Sequence, residues 1–118
     1  MALFENSPAV ERHPITHWVQ FRGSGTVAIL ADGNVSSVSD DGTGNYTVNF
    51  STNMPDTNYC FFGNTLKGDT NNDGNQHLQM GGNNTNPDVA VGSIGLRAKV
   101  ATNNADNDPD RVTCGFTR

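Results

Sequence analysis

Short runs in which apolar and polar residues alternate recur along the chain from residue 16 onward. The clearest run is residues 45–51, where Tyr46, Val48 and Phe50 are apolar and the residues between them are polar. Successive side chains of a β-strand point to opposite faces of the sheet. The alternation therefore predicts a strand with one buried face and one face in water.

Other runs predict further strands, and glycine, asparagine and aspartate separate them as turn residues. Residues 16–21 alternate like the clearest run, whereas residues 59–62 are apolar on both faces, which is typical of a central strand. Asp32 and Gly33 give a turn signal after the run at 26–30. The predicted strands cover residues 16–21, 26–30, 35–39, 46–50, 59–62, 77–80, 89–100 (one long strand or two short ones) and 111–116.

The number and spacing of these strands predict an all-β protein, an antiparallel β-sandwich of about seven or eight strands. A chain of 118 residues has the size of one domain. We therefore expect residues 16–118 to form the sandwich domain. Its core is expected to include Val19, Phe21, Ile29, Val48, Phe50, Phe61, Val100 and Val112.

Residues 1–15 differ from the rest of the chain, because their apolar residues have no regular spacing and prolines interrupt them. They predict a non-regular N-terminal arm rather than a strand or an amphipathic helix. Several side chains of this arm are too apolar to be left in water, so we expect them to dock into grooves on an adjacent subunit or on a larger partner protein. These side chains are Leu3, Phe4, Val10 and Ile15. The competing interpretation is a frayed, dispensable terminus.

Charge and composition narrow the classes of partner. The net charge is −5 and the seven basic residues are scattered, whereas nucleic acids and anionic membranes are bound through clusters of Lys and Arg. No apolar run approaches a membrane span, and the N-terminus lacks a secretory signal. We therefore expect neither nucleic acid nor membrane as a partner, and synthesis in a cytoplasm. There Cys60 and Cys114 are expected to be buried free thiols, with a disulfide between them as the alternative.

No residue pattern indicates catalysis or a cofactor. A catalytic nucleophile needs a base and an orienting partner, and no Ser or Cys lies in a motif that would supply them. His13, His17 and His77 lack the spacing of a zinc site and are expected at the surface or rim. We therefore expect a non-enzymatic protein that needs no cofactor.

Two aspartate-rich segments carry oxygen ligands at alternate positions, as a calcium loop does. In the first segment Met80 stands where an EF-hand has its closing acid. Because Asp and Asn are also common turn residues, both segments are weak candidates for a metal site. The candidate ligands are Asp69, Asn71 and Asp73 in the first segment and Asp106, Asp108 and Asp110 in the second.

Aromatic residues close to polar loops suggest a second kind of site, one that binds a glycan. Such a site combines hydrogen-bonding groups with an aromatic face. The candidate rings are those of Trp18, Tyr46 and Tyr59. The competing interpretation is that these rings pack in the core or pair across strands.

Four segments of the sequence carry a family resemblance. They are WVQFRGSGTVAI at 18–29, GNVSSV at 33–38, DGTGNYTVNF at 41–50 and MPDTNY at 54–59. In this order they resemble a module of bacteriophage virion proteins that occurs most often at the ends of tail fibres of marine and cyanobacterial phages. The segment DRVTCGF at 110–116 is similar to the last strand of that module.

The resemblance implies a non-enzymatic, β-rich structural domain of a virion, assembled in the cytoplasm of the bacterial host. Fibres carry the module behind a long shaft, whereas here 17 residues precede Trp18. We therefore expect a capsid decoration (cement) protein attached to the major capsid or tail protein. The alternatives are a small tail fibre, spike or adaptor subunit that binds a host-surface glycan or receptor, and an unrelated glycan-binding module or enzyme. Virion symmetry favours a homo-oligomer, with a trimer preferred.

Overall fold

The computed structural model describes residues 14–66, 76–81, 89–100 and 105–118, which form an all-β sandwich of two four-stranded antiparallel sheets. Sheet I has the strand order β2-β1-β8-β5, and sheet II has the order β3-β4-β7-β6. The predicted fold class is thereby confirmed. The strands are β1 (His17–Arg22), β2 (Ala28–Gly33), β3 (Val35–Gly42), β4 (Asn45–Phe50), β5 (Cys60–Leu66), β6 (Gln76–Met80), β7 (Ser93–Val100) and β8 (Arg111–Thr117).

The apolar core lies between the two sheets. Edge-to-face rings run through it, because Phe50 of sheet II lies 5.2 Å from Phe116 of sheet I and 5.9 Å from Tyr59 between ring centroids. Two of the predicted core residues, Ile29 and Phe61, are only partly buried, since they lie on β2 and β5 at the two edges of sheet I. The other predicted core residues are buried: Val19, Phe21, Val48, Phe50, Val100 and Val112.

Strand β5 is an edge strand, which corrects the prediction that residues 59–62 form a central strand. Among the described strands, β5 pairs in sheet I with β8 alone, with Phe61 opposite Phe116 and Phe62 opposite Gly115. Phe61 packs against the core, whereas the side chain of Phe62 is 45% exposed. The run is therefore apolar on both faces because one face meets the core and the other carries an exposed ring.

Strand β2 continues through the residues that gave a turn signal. Asp32 pairs with Val19 and Gly33 pairs with Trp18, so the chain turns at Asn34, which has a φ of 58°. Asn is one of the few non-glycine residues that adopt this left-handed conformation readily. The turn that leads into sheet II is therefore one residue later than the Asp-Gly signal predicts.

His17 is buried, which corrects its expected place at the surface or rim. Its Nε2 lies 2.7 Å from the carbonyl oxygen of Thr52, and its Nδ1 lies 2.7 Å from the hydroxyl of Thr16. Because a carbonyl oxygen can only accept, Nε2 carries the proton and Nδ1 accepts from Thr16. His17 thus links the start of β1 to the segment after β4 in sheet II.

Both cysteines are free, in agreement with the expected thiols, but only Cys114 is buried. Cys60 pairs with Thr117, whereas Cys114 pairs with Gly63 on the neighbouring strand. The register therefore separates the two cysteines by three positions, roughly 10 Å along the strands. A disulfide needs Cα atoms within about 7 Å, so this geometry excludes the alternative of a bridge within the chain.

The described chain begins outside the core, where Pro14, Ile15 and Thr16 are exposed. The hydroxyl of Thr117 donates to the carbonyl oxygen of Pro14 at 3.2 Å, and the Asn34 amide donates to that of Thr16 at 2.6 Å. Of the four arm residues named from the sequence, Ile15 is therefore an exposed residue beside sheet I. The other three arm residues, Leu3, Phe4 and Val10, lie outside the described residues.

Candidate binding face

The outward face of sheet I carries the most distinctive set of exposed side chains among the described residues. Along β1 the buried residues Val19 and Phe21 alternate with the outward residues Trp18, Gln20 and Arg22. The strand register aligns each of these outward residues with outward residues on β8 and β5. We call this surface the sheet I face; it consists of three cross-strand rows.

The first row alternates glycine and aromatic residues across all four strands: Gly33, Trp18, Gly115 and Phe62. A Cβ atom on Gly33 would lie 2.3 Å from Nε1 of Trp18, and one on Gly115 would lie 2.6 Å from Cζ of Phe62. Each ring therefore rests directly on the backbone of a neighbouring glycine. The rings keep exposed surfaces nevertheless, 41% for Trp18 and 45% for Phe62.

A groove of about 590 Å³ follows this aromatic row. Ile15, Trp18 and Phe62 supply its apolar walls, and Gly115 lies beneath Phe62. Any larger residue at position 115 would collide with the Phe62 ring, so the glycine preserves the groove. Lining residues of β5 and β8 add polar groups to the same groove: Asn64 and Thr113.

The second row consists of Gln20, Thr113 and Asn64, which are aligned across β1, β8 and β5. The Gln20 side-chain amide donates to the hydroxyl of Thr113 at 3.3 Å. Thr113 and Asn64 are exposed and Gln20 is partly so. Two amide side chains, each with donors and an acceptor, thus border the aromatic groove.

The third row is basic. Phe21 pairs with Val112, and a backbone hydrogen bond from Gly23 to Asp110 at 3.3 Å continues that register. Arg22 therefore lies opposite Arg111 on the sheet I face. Both arginines line a second depression of about 450 Å³ together with Leu66 and Asp110. Among the described residues neither guanidinium forms an ion pair. The Asp110 carboxylate instead accepts a hydrogen bond from the hydroxyl of Ser24 at 3.2 Å.

Of the three rings named as glycan candidates, only Trp18 lies on this surface. Tyr46 is 0% exposed and Tyr59 is 5% exposed, and both belong to the core. The Tyr59 hydroxyl donates to the carbonyl oxygen of Ala90 at 2.8 Å. Burial excludes Tyr46 and Tyr59 from contact with a ligand, which corrects that part of the prediction and supports the competing interpretation for these two rings.

Burial also changes the acidity of Tyr46. Its hydroxyl lies 2.7 Å from the carbonyl oxygen of Gly23 and 3.1 Å from Oδ1 of Asp108. Desolvation and the nearby Asp108 charge raise the pKa of Tyr46 well above its ordinary value. The phenol therefore stays protonated and acts as a structural donor between the sheets.

The aspartates named as metal candidates do not converge among the described residues. Asp108 accepts a hydrogen bond from the backbone of Gly44 at 2.7 Å, and Asp110 accepts one from Ser24. The described parts of the chain contain no group of three or more His, Cys, Asp or Glu side chains that could hold a metal ion. The first candidate segment, Asp69, Asn71 and Asp73, lies outside the described residues.

Asp106, the remaining member of the second segment, forms a cation-rich ion network. It accepts hydrogen bonds from Lys99 at 2.8 Å and from Arg97 at 3.0 Å. The hydrogen bond from Lys99, followed by the bond and charge of Arg97, lowers the pKa of Asp106. This carboxylate is already neutralised by side chains of β7 and is not free to bind a metal ion.

Sequence reasoning did not identify the other residues of the sheet I face: Phe62, Gln20, Asn64, Arg22 and Arg111. Alternation in β1 could have marked Gln20 and Arg22 as outward residues. The grouping with Asn64 and Arg111 requires the strand order β1-β8-β5, which joins residues far apart in the sequence. That order is set by pairing across the whole chain and leaves no local signal.

Within the described residues there is no helix long and apolar enough to cross a membrane. Comparison of the chain with models of protein families, with curated proteins and with solved structures gives no match. The sheet I face therefore has to be interpreted from its own chemistry. It combines exposed rings, amides and guanidinium groups, and this combination suits the binding of a ligand.

Proposed function

We propose that the protein is a non-enzymatic structural protein of a bacteriophage virion, a decoration protein on the capsid surface. Its resemblance to phage virion modules supports this proposal. The segments that carry the resemblance coincide with elements of the fold, since NYTVNF is strand β4 and GNVSSV contains the turn into β3. The protein would be assembled in the cytoplasm of the bacterial host.

The observation that carries the proposal is the course of the chain before β1. Pro14, Ile15 and Thr16 lie on the outside of the sandwich, and Thr117 and Asn34 hold their backbone. The preceding residues are thus joined to the domain at one defined point on its surface. An attachment arm at residues 1–15 would contact a major capsid protein without disturbing the core.

Copy number tests this proposal most directly. Quantitative mass spectrometry of purified particles should find the protein in hundreds of copies, in proportion to the major capsid protein. Deletion of residues 1–15 should leave a folded domain that no longer binds heads, whereas the full-length protein should bind. Tens of copies or fewer, or normal occupancy by the truncated protein, would contradict attachment to the capsid through the arm.

The second candidate function is a small tail fibre, spike or adaptor subunit that binds a host-surface glycan. The sheet I face favours it, because the exposed rings of Trp18 and Phe62 lie beside the amides of Gln20 and Asn64. A protein in few copies per particle, with Trp18-dependent adsorption to host cells, would favour this function over capsid decoration.

A homo-oligomer, preferably a trimer, is proposed for either location, because virion positions repeat by symmetry. Sedimentation equilibrium of the purified full-length protein would measure its mass directly. A monomer over the whole micromolar range would contradict a preformed trimer. The symmetric arrangement would then arise only when the protein binds to the virion.

A further inference from the structure

The three rows of the sheet I face lie in sequence along one surface. Trp18, Gln20 and Arg22 occupy alternate positions of β1 and share the outward direction. At about 3.4 Å per residue, the distance from Trp18 to Arg22 along the strand is roughly 14 Å. The aromatic, amide and basic groups are therefore spread over a surface that suits an elongated ligand with several units.

The aromatic and amide rows match the chemistry of a sugar chain. A sugar ring has an apolar face that packs on an exposed aromatic ring, and hydroxyl groups at its edge. The rings of Trp18 and Phe62 offer such a surface, while Gln20 and Asn64 offer hydrogen-bond donors and acceptors. Binding sites typically combine such aromatic walls with a few placed polar groups.

The basic row is unusual for this protein, whose net charge is −5. Like charges on directly opposite strand residues are destabilising, yet Arg22 and Arg111 are opposite each other without an ion pair among the described residues. Asp110 in the same depression supplies one negative charge against two positive ones. The depression therefore keeps a net positive charge, which a bound anionic group would neutralise.

Guanidinium groups bind carboxylate, sulfate and phosphate groups through paired hydrogen bonds. A nucleic acid is a poorer candidate than a sugar, because it would meet an overall acidic protein with only this pair of arginines on the face. Charge complementarity together with the aromatic row thus selects a ligand with both sugar rings and an acidic group.

We infer that the sheet I face binds an acidic oligosaccharide, with sugar rings packed on Trp18 and Phe62 and the anionic group held by Arg22 and Arg111. The inference rests on the second candidate function, glycan binding, and specifies the class of glycan. Gln20 and Asn64 hydrogen-bond the hydroxyl groups between these two ends. Asp110 disfavours a second anionic group at the basic end.

The test is calorimetric titration of the full-length protein with matched pairs of short oligosaccharides. The acidic members carry a uronic acid, a sialic acid or a sulfate, and the neutral members are their methyl esters or desulfated forms. We expect at least tenfold tighter binding of an acidic member, with affinity that falls as salt increases. The double variant Arg22→Gln/Arg111→Gln should lose that tenfold preference, whereas Arg118→Gln should retain it, because Arg118 follows the opposite end of β8 from Arg111 and is paired with Asp56.

The outcomes separate the inference from glycan binding itself. Equal affinity for acidic and neutral members, abolished by Trp18→Ala, would overturn the acidic ligand and leave glycan binding intact. No binding of any member would overturn both. If Trp18→Ala instead converts an oligomer into a monomer, a second copy covers the sheet I face, and the inference is wrong.

Discussion

The phenol of Tyr46 in β4 donates a hydrogen bond to the carbonyl oxygen of Gly23, 2.7 Å away, and so ties sheet II to the end of β1 in sheet I. The contact is tight. A Cβ atom at position 23 would lie 2.9 Å from the Tyr46 hydroxyl and 2.6 Å from the carbonyl oxygen of Pro109. The glycine thus allows the chain after β1 to approach the buried phenol closely.

Tyr46→Phe should lower the free energy of unfolding by about 1 to 3 kcal/mol, because it leaves the buried Gly23 carbonyl and one Asp108 oxygen without the phenol proton. Ring packing against Phe21, at 5.2 Å between centroids, should be retained. Urea denaturation at pH 7 measures the change. A variant as stable as the wild type would show that this hydrogen bond contributes nothing net to stability.

Alkaline pH provides an independent test of the same residue. The pKa of Tyr46 is raised in the folded protein, whereas in the unfolded chain it is about 10. Stability from the protonated phenol is therefore complete below pH 10 and is lost as pH rises above it. Between pH 8 and pH 11, Tyr46→Phe should lose less unfolding free energy than the wild type. Equal losses of unfolding free energy in the wild type and in Tyr46→Phe would contradict a buried, protonated phenol.

The same residue illustrates what the sequence could and could not predict. The alternation that predicts β4 also assigns Tyr46, Val48 and Phe50 to one buried face, so local periodicity could have excluded Tyr46, which was named as a candidate ligand contact. In β1 the same argument assigns Trp18 to the face opposite Val19. Periodicity thus predicted the strands and most of the core, and it could also have assigned Trp18 to the outer face.

Long-range pairing accounts for what the sequence did not predict. An apolar run such as that around Phe62 is compatible with a central strand or with an edge strand that carries an exposed ring. The choice depends on whether a further strand pairs beyond it, and within the part of the chain that the structure describes, β5 pairs in sheet I with β8 alone. Likewise, Asp106 to Asp110 are close in sequence, but their side chains have separate partners on β7, at Gly44 and at Ser24.

Two glycines with nearly the same positive φ should respond differently to alanine. Gly44 has a φ of 66° and Gly25 a φ of 64°, so both substitutions should cost about 1 to 2 kcal/mol for the left-handed conformation. A Cβ atom at Gly44 would also lie 2.6 Å from the carbonyl oxygen of Ala98, whereas nothing lies within 4 Å of one at Gly25. Overpacking should add about 1 to 3 kcal/mol at Gly44.

Urea denaturation of Gly44→Ala and Gly25→Ala under identical conditions compares the two sites. Because φ is matched, the difference in unfolding free energy between the variants reports the close approach of the β3–β4 turn, β7 and the segment before β8. Equal destabilisation by the two substitutions would contradict this packing.

Asp106→Asn should destabilise the protein, because Lys99 and Arg97 would lose their ion pairs with this carboxylate. The side chain of Lys99 is only 9% exposed, so loss of its carboxylate partner should cost about 1 to 3 kcal/mol at pH 7. The pKa of Asp106 is lowered by Lys99 and Arg97, so its contribution is complete above about pH 4 and is lost as pH falls through the lowered value.

A matched control is Asp56→Asn, which removes the exposed ion pair with Arg118 at 2.7 Å. Water screens that pair, so its loss should matter much less than the loss of Asp106. Thermal unfolding at pH 7 and at pH 3 compares the two variants with the wild type. A larger effect of Asp56→Asn at pH 7 would be inconsistent with the ion network of Asp106 as the stronger of the two.

The two cysteines should differ sharply in reactivity toward a thiol reagent such as a disulfide dye at pH 8. Cys60 is exposed at the start of the edge strand β5, so it should react within the mixing time of a standard assay. Cys114 is buried, and burial raises its pKa to about 12, so it lacks both access and the reactive thiolate form. The folded protein should therefore release one equivalent of dye, and the protein in denaturant should release two.

Cys60→Ser should remove the fast equivalent, and Cys114→Ser should retain it at some cost in stability. Two fast equivalents, or fast reaction of Cys60→Ser, would mean that Cys114 is accessible and that β8 is not packed between β1 and β5 as described.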